Sequence, residues 1–365
     1  MSLRDVDALI PAHERANGSG SDAAHNVGVQ GAPVALPSVA LPFGQRLRSS
    51  LALPVLVVVA LITVLGGTRN SAFFSEATWI NILRSASFTT IVACFEGLVL
   101  ISGGLDLSVG STFLAGAMTS AGVVQASQSD LVALLAALGV GAGIGAINGI
   151  LANYIGIPPI IATLGTMFGV SAVVTTLSGG LSIGPLPDSF GVIGQGSWGP
   201  IPSVVLIAAG IAVATHVLLE YTTLGPKIRA IGGNRAAATS LGLSVKRLSC
   251  SVYIITGAFA AFAGLLQAAN LGAGDPSFGS DLELQVIAAV VIGGVSVYGA
   301  IGTVAGMVAG CVLLSVLTIA ISLLHFSGTM QDFAVGVVMI VAVTLDQVRR
   351  SRMFAMSRRK VGHRE

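Results

Sequence analysis

The stretch 101-ISGGLDLSVGS-111 interrupts a long apolar region of the sequence, with apolar runs on either side at 80–102 and 109–127. Each run has about the 20 residues that a helix needs to cross a bilayer. Paired glycines and a carboxylate are unusual inside a span, because a charged group is costly in hydrocarbon. We call this stretch the first interrupted segment. It predicts two membrane-spanning helices separated by an irregular piece of chain.

The composition of the whole chain indicates the same class of protein. Of its 365 residues, 53% are hydrophobic, only 9% are charged and 47 are glycine, and the mean hydropathy is +0.89. Soluble globular proteins are about 25% charged. So few charges do not cover the surface of a water-soluble fold, which excludes most soluble enzymes and favours a polytopic membrane protein.

Apolar runs of spanning length recur along the chain, and we count ten. An even number of spans puts both chain ends on the same side of the membrane. The predicted fold class is therefore an all-α membrane protein with about ten transmembrane helices, some of them interrupted. The runs are residues 51–67, 80–102, 109–127, 131–153, 159–179, 202–220, 249–271, 284–299, 302–324 and 331–348.

The 18 basic residues are confined to three parts of the chain. They fall before residue 85, within the loop 221–248, and after residue 348. Lys and Arg near the ends of spans stay on the cytoplasmic side. Both termini and this loop are therefore predicted to be cytoplasmic, in agreement with the even number of spans.

The composition also predicts three regions. Residues 1–45 are rich in Ala, Ser, Gly and Pro and lack the apolar core of a signal peptide, so we expect a disordered cytoplasmic tail. Residues 46–348 contain the apolar runs and form the transmembrane domain. Residues 349–365 form a basic cytoplasmic tail. Nucleic-acid binding by that tail is the weaker interpretation, because the tail directly follows an apolar span.

A second interrupted segment reads 292-IGGVSVYGAIG-302. In both segments a Gly-Gly pair is followed twelve residues later by Ala-Gly, as in Gly103-Gly104 and Gly293-Gly294. Interrupted helices at corresponding places mark transport sites in membrane proteins, but close helix packing by glycine is an equally open interpretation. The candidate solute path consists of Glu96, Gly103, Gly104, Asp106, Ser108, Gly293, Gly294 and Ser296.

Two carboxylates near the first interrupted segment are the main ionisable candidates. Glu96 lies ten residues before Asp106, which corresponds to about 15 Å along a helix. We therefore expect the two residues at different depths, without direct pairing. Either Asp106 or Ser108 can cap the helix that follows, and Asp106 can instead brace the loop. A role of Asp106 in the solute path is the alternative.

The sequence contains no catalytic or metal-binding constellation. A GxxxxGK[ST] string, a Ser-His-Asp arrangement and paired carboxylates are all missing. Cys94, Cys250 and Cys311 form an odd, scattered set inside apolar runs, which argues against disulfides and against zinc. We expect no catalytic residue, no metal and no cofactor, and thus a protein that is not an enzyme.

Glycine also recurs at a regular spacing in one of the apolar runs. Gly141, Gly145 and Gly149 recur at every fourth position, on one face of a helix. In lipid, small residues let two helix backbones approach closely. We therefore expect this stripe to serve helix packing rather than function.

The loop 221–248 is the most informative polar segment. Gly232, Gly233 and Asn234 predict a turn, and residues 235–241 predict a short helix that ends at Gly242. A short cytoplasmic helix between two spans suits docking to another protein. An ordinary basic loop that fixes the topology is the alternative, and the residues alone do not decide between them.

Four strings resemble, in their order along the chain, the permease subunits of bacterial ABC sugar importers of the ribose, xylose and arabinose type. The resemblance covers roughly residues 50–348 and implies the ABC importer permease fold, with import of a monosaccharide or related small polar solute. One departure is that Ala300 and Ile301 stand where the family often has a basic residue. The strings are GGLDLSVGS at 103–111, PPIIATLGTM at 158–167, IRAIGGNRAAATSLGLSVKR at 228–247 and IAAVVIGGVSVYG at 287–299.

The resemblance also implies partners. A separate ATPase subunit would bind ATP, a periplasmic binding protein would deliver the solute, and a second permease subunit would complete a homodimer or heterodimer in the bacterial inner membrane. Membrane lipid surrounds the subunit, and no nucleic acid is expected as a partner. Alternatives are an ion-coupled secondary carrier that uses Glu96 and Asp106, and a permease for branched-chain amino acids or urea. The residues that would dock the ATPase are Gly232, Gly233, Asn234, Ala237, Ala238 and Gly242.

Overall fold

The computed structural model describes residues 52–331, 333–338, 340 and 344, and the side chains from residue 55 onward. The predicted tails at 1–45 and 349–365 lie outside the described residues, as does part of the tenth apolar run. Within the described part, the chain is mostly helical with two very short strands, which confirms the predicted all-α class. Backbone groups in a bilayer must be paired within the protein, and helices achieve this locally.

Twelve α-helices are present in the part of the chain that can be described. They are α1 (Ala52–Arg69), α2 (Glu76–Ile101), α3 (Val109–Ser127), α4 (Asp130–Ile150), α5 (Pro159–Ser178), α6 (Asp188–Gln195), α7 (Ser203–Tyr221), α8 (Leu224–Gly233), α9 (Arg235–Ser240), α10 (Val245–Leu271), α11 (Leu282–Ile292) and α12 (Val304–Leu323). A 3-10 turn at Ser71–Phe74, a π-helical turn at Leu151–Ile155, and two antiparallel strands, β1 (Ser197–Trp198) and β2 (Ile201–Pro202), complete the described elements. Residues 328–331 and 333–338 are also helical.

Each of the first nine predicted runs contains a helix. Six of the described helices are long and apolar enough to cross a membrane: α2, α4 with its π-helical extension, α5, α7, α10 and α12. Within α1, Val55–Arg69 is a shorter apolar helix, and so is α11. The protein is thus a multi-pass membrane protein, and α11 is short because the second interrupted segment follows it at once.

Capping groups set several helix starts. The Ser75 side chain accepts a hydrogen bond from the Thr78 N–H at 3.3 Å, so α2 begins at Glu76, four residues before the predicted run. Glu76 in the first turn also favours this start, since the N-terminal end of a helix dipole attracts negative charge. At α5, Pro159 occupies the first helical position, where no N–H is needed.

Helix α10 is the centre of the packing and contacts α2, α3 and α4. The glycine stripe on α4 allows that contact. A methyl group on Gly141 would overlap the carbonyl oxygen of Gly257, and one on Gly145 would overlap that of Tyr253. Gly149 continues the same interface. The predicted packing role of the stripe is therefore confirmed, and the close α4–α10 contact fixes the frame around the first interrupted segment.

Candidate functional site

The first interrupted segment begins where α2 ends, at Ile101. Gly103 has a φ of +78°, a conformation that glycine adopts at little cost. Its N–H donates to the Leu100 carbonyl and the Gly104 N–H donates to the Val99 carbonyl, both at 2.9 Å. This paired pattern is the Schellman helix end. The Gly-Gly pair therefore stops the helix and turns the chain back toward it.

The returning chain brings Asp106 against Glu96. The Asp106 N–H donates to Glu96 Oε1 at 3.2 Å, and the two residues are 1% and 0% exposed. The prediction that they lie at different depths was wrong, because the helical rise stops at Ile101 and the chain then folds back over the last turns of α2. The contact is between a carboxylate and a backbone N–H, not between the two side-chain carboxyl groups.

Asp106 braces the interrupted segment from within. Its Oδ1 accepts hydrogen bonds from the Ser108 N–H at 2.9 Å and from Ser108 Oγ at 2.6 Å. Ser108 occupies the position before α3, but its side chain makes no capping bond to that helix. The bracing interpretation of Asp106 therefore describes the geometry, and side-chain capping by Ser108 does not.

A polar chain leads from this segment to α4 and α5. Asn148 Nδ2 donates to Ser108 Oγ at 2.7 Å and to Asp106 Oδ1 at 3.3 Å. Thr166 Oγ1 donates to Asn148 Oδ1 at 2.7 Å. Thr166 lines an apolar cavity of about 450 Å³ between α4 and α5. Sequence reasoning missed Asn148 and Thr166, although an amide inside a glycine-rich apolar run was a usable signal.

Tyr253 of α10 holds the first interrupted segment at Leu105, and Glu96 of α2 lies against the same segment. The Tyr253 hydroxyl accepts from the Leu105 N–H and donates to the Leu105 carbonyl, each at 3.2 Å. Within the described part of the chain, Glu96 Oε2 is buried and has no hydrogen-bond partner. A buried polar atom of this kind is rare in native folds. The first interrupted segment is therefore held between α2 and α10, and it lies next to a residue, Glu96, whose second carboxyl oxygen has no partner among the described residues.

The second interrupted segment uses the same helix end. Gly294 has a φ of +90°, its N–H donates to the Val291 carbonyl at 2.9 Å, and the Val295 N–H donates to the Val290 carbonyl at 3.1 Å. Gly294 is thus the counterpart of Gly103, one position later than the Gly-Gly alignment of the sequence indicates. The likeness of the two segments lies in their helix ends.

Gly293 and Ser296 have internal roles in the second interrupted segment. A methyl group on Gly293 would overlap the carbonyl oxygen of Gly306 in α12, so Gly293 serves backbone packing. The Ser296 N–H donates to the Ile301 carbonyl at 3.0 Å, and Ser296 Oγ accepts from the Tyr298 N–H at 3.3 Å. Ser296 is 1% exposed and closes a tight loop within the segment.

The loop 221–248 contains two helices where one was predicted. The short helix α9 and its end at Gly242, where φ is +78°, confirm the prediction for that part. The predicted turn at Gly232 and Gly233 was wrong, because both residues belong to the last turn of α8. Asn234 alone separates the helices, and its side chain accepts a hydrogen bond from the Ala237 N–H at 3.0 Å.

The predicted docking residues differ in how far they are exposed to solvent. Gly233, Asn234, Ala237 and Gly242 are exposed. Ala238 is 2% exposed and packs with Ile231 and Val245 beneath α9, and Gly232 is partly buried. The exposed members form a surface, while Ala238 and Gly232 attach α9 and α8 to the rest of the protein.

Basic side chains of this loop are tied to the ends of the spans. Arg229 forms an ion pair with Glu220 at 2.5 Å, at the end of α7. Arg235 donates to Asn153 Oδ1 at 2.5 Å, and Lys246 lies 5.8 Å from the centre of the Tyr154 ring. A cavity of about 750 Å³ is lined by the second and third of these pairs, Arg235 with Asn153 and Lys246 with Tyr154. The loop is thus a folded unit with defined attachments.

The loop between α5 and α6 contacts the loop between α10 and α11. Ile183 and Gly274 pair through their backbones at 2.8 and 2.9 Å. Hydrogen bonds from Ser182 and Ser277 hold the pKa of the Asp275 carboxyl below its ordinary value. Asp275 therefore stays ionised to a lower pH than a free carboxyl and orders this acidic loop.

Comparison with known proteins gives a consistent result. Residues 78–343 match the family model described as branched-chain amino acid transport system, permease component. The chain is 33% identical over 300 residues to the ribose import permease protein RbsC of Escherichia coli K12, covering 81% of this chain and 92% of that protein.

Other sugar permeases are similar to the same part of the chain. The galactose/methyl galactoside import permease protein MglC of Haemophilus influenzae is 30% identical over 303 residues, 78% of this chain and 90% of that protein. The L-arabinose transport system permease protein AraH of Escherichia coli K12 is 31% identical over 277 residues, 75% and 84% of the two chains. No solved structure matches the chain.

Proposed function

This chain belongs to the permease-component family of the branched-chain amino acid transport type, and from that membership we propose that it is the membrane-spanning subunit of a bacterial ABC importer for a monosaccharide or related small polar solute. The observation that carries the choice of solute is the 33% identity with the ribose permease over 92% of its length. The galactose and arabinose permeases support the same class. These relatives are all sugar permeases, so an ion-coupled carrier, or a permease for branched-chain amino acids or urea, is not favoured.

The subunit lies in the inner membrane with both termini in the cytoplasm. The even number of apolar runs and the cytoplasmic preference of Lys and Arg support this orientation. Residues 1–45 and 349–365 are then cytoplasmic tails, and 46–348 form the permease domain. The acidic loop around Asp275 faces the periplasm, where a soluble binding protein delivers the solute.

ATP is bound and hydrolysed by a separate ATPase subunit that docks on the loop 221–248. Exposure of Gly233, Asn234, Ala237 and Gly242 supports a contact surface on and beside α9. Ala238 and Gly232 secure that surface to the spans. The permease chain contributes no nucleotide site, and closure of the ATPase moves the docking loop relative to the bilayer.

The solute path runs beside the two interrupted segments, between this chain and a second permease subunit. Gly103, Gly104, Gly293 and Gly294 end the helices there, so that backbone polar groups become available at membrane depth. Glu96, Asp106 and Ser108 brace the first segment, and Ser296 braces the second. The backbone N–H and carbonyl groups that these helix ends make available are uncharged and suit the hydroxyl groups of a sugar.

Reconstituted transport tests this function. We expect proteoliposomes that contain the permease, the ATPase and the binding protein encoded beside it to take up radiolabelled ribose, galactose or arabinose only when ATP is supplied to the ATPase side. Leucine serves as the control solute. Uptake of leucine alone, or sugar uptake driven by a proton or sodium gradient without ATP, would contradict the proposal.

A further inference from the structure

Three separate pieces of the chain meet at Gly232. They are the last turn of α8, which contains Gly232, the end of α2 at Ile101, and the second interrupted segment at Ala300. The Ala300 N–H donates to the Ile101 carbonyl at 2.8 Å and so joins those two pieces directly. A methyl group on Gly232 would overlap the Ile101 carbonyl oxygen and lie 2.8 Å from the Ala300 nitrogen.

The other two pieces also contact Gly232 through their own glycines. A methyl group on Gly299, whose φ is +88°, would lie 2.8 Å from the Gly232 carbonyl oxygen and 3.1 Å from its Cα. A methyl group on Gly103 would lie 3.4 Å from the Gly232 Cα. Backbone therefore packs directly on backbone, with no flexible side chain between the pieces to absorb a displacement.

A second attachment lies one turn earlier on the same helix. Arg229 Nη1 donates to the Gly302 carbonyl at 3.0 Å, at the end of the second interrupted segment. Its Nη2 forms the ion pair with Glu220 at 2.5 Å. Helix α8 is thus fastened to the second interrupted segment by a side chain as well as by close backbone contact.

We propose that Gly232 is the point at which movement of the docking loop is transmitted to both interrupted segments together. Gly232 is a positioning residue, and its small size lets the end of α8 touch Ile101, Gly103 and Gly299 at once. Displacement of α9 by the ATPase reaches α8 through Asn234 and then moves both walls of the solute path. This inference rests on the proposed function, because it assigns a route to the ATP-driven movement.

The variant Gly232→Ala tests the junction, with Gly210→Ala as the matched control. Gly210 lies in the middle of α7, away from the junction in sequence, and nothing lies within 4 Å of the position that its Cβ would take. The readout is the number of sugar molecules imported per ATP hydrolysed by the reconstituted complex. We expect this ratio to fall about tenfold or more in Gly232→Ala while ATP hydrolysis continues, and to stay unchanged in Gly210→Ala.

A second variant covers the case in which Gly232→Ala does not assemble. Arg229→Gln keeps the backbone contacts and removes both the bond to the Gly302 carbonyl and the ion pair with Glu220, so the same ratio should fall by a smaller factor. An unchanged ratio in Arg229→Gln, or in an assembled Gly232→Ala complex, overturns the inference. Failure of the wild-type complex to import any of the sugars with ATP contradicts the proposed function instead, and the two failures are therefore distinct.

Discussion

At the scale of single residues, Asp106 organises the first interrupted segment. One of its oxygens accepts three hydrogen bonds, from two groups of Ser108 and from Asn148. Its own N–H is bound by Glu96. A carboxylate this buried depends on such partners, because taking it out of water costs several kcal/mol if it is unpaired. Asp106 therefore has a structural role in this segment.

Replacement of Asp106 by alanine should destabilise the permease. Ser108 and Asn148 would lose a shared acceptor while buried, which costs about 1–3 kcal/mol for each unpaired group. Thermal unfolding of the purified protein in detergent measures this loss. The control is Asp188→Ala, at an exposed position, where a change within about 0.5 kcal/mol is expected. Equal effects of the two variants would contradict the bracing role.

At the scale of helices, the glycine stripe of α4 determines how closely α4 approaches α10. The carbonyl groups of Gly257 and Tyr253 occupy the space where Cβ atoms on Gly141 and Gly145 would lie. Since lipid supplies no hydrophobic drive between helices, this close packing is a main source of their association. The same pair of helices carries Asn148 and Tyr253, so their spacing also positions the polar groups of the first interrupted segment.

Gly145→Ala should weaken the α4–α10 interface. The added methyl group would overlap the Tyr253 carbonyl, and overpacking of this kind costs about 1–3 kcal/mol. Gly143→Ala is the matched control on the same helix, because nothing lies within 4 Å of its Cβ position. Its stability should change by no more than about 1 kcal/mol, the glycine–alanine difference in helix propensity. Comparable thermal unfolding shifts in both variants would argue against the interface.

At the scale of the whole molecule, basic and acidic residues are separated between two sets of connections between the helices. The face with α8 and α9 carries the basic residues Lys227 to Arg247, and the loops with Asp188 and Asp275 carry acidic ones. The proposed topology puts the first face in the cytoplasm and the second in the periplasm. The three cysteines described in the chain are buried, and buried thiols react poorly with polar reagents.

Cysteine labelling should reveal this orientation. With a membrane-impermeant maleimide added to intact spheroplasts, Asp188→Cys should be labelled and Thr239→Cys on α9 should not. Permeabilised cells should label both, since both positions are exposed, and the parent chain should stay unlabelled in either condition. Labelling of Thr239→Cys from outside would reverse the proposed topology.

By itself, the sequence determined the class of protein, the helical runs, the position of both interruptions, the short helix α9 and the packing role of the α4 glycines. These features follow from local hydrophobicity, glycine placement and capping, which nearby residues control. Only the tertiary structure decided the contact of Glu96 with Asp106, the link through Asn148 to Thr166, and the meeting of Ile101, Gly232 and Ala300. Those contacts depend on where the chain turns back after each helix end, and the angle of that return is set by long-range backbone packing that no local pattern encodes.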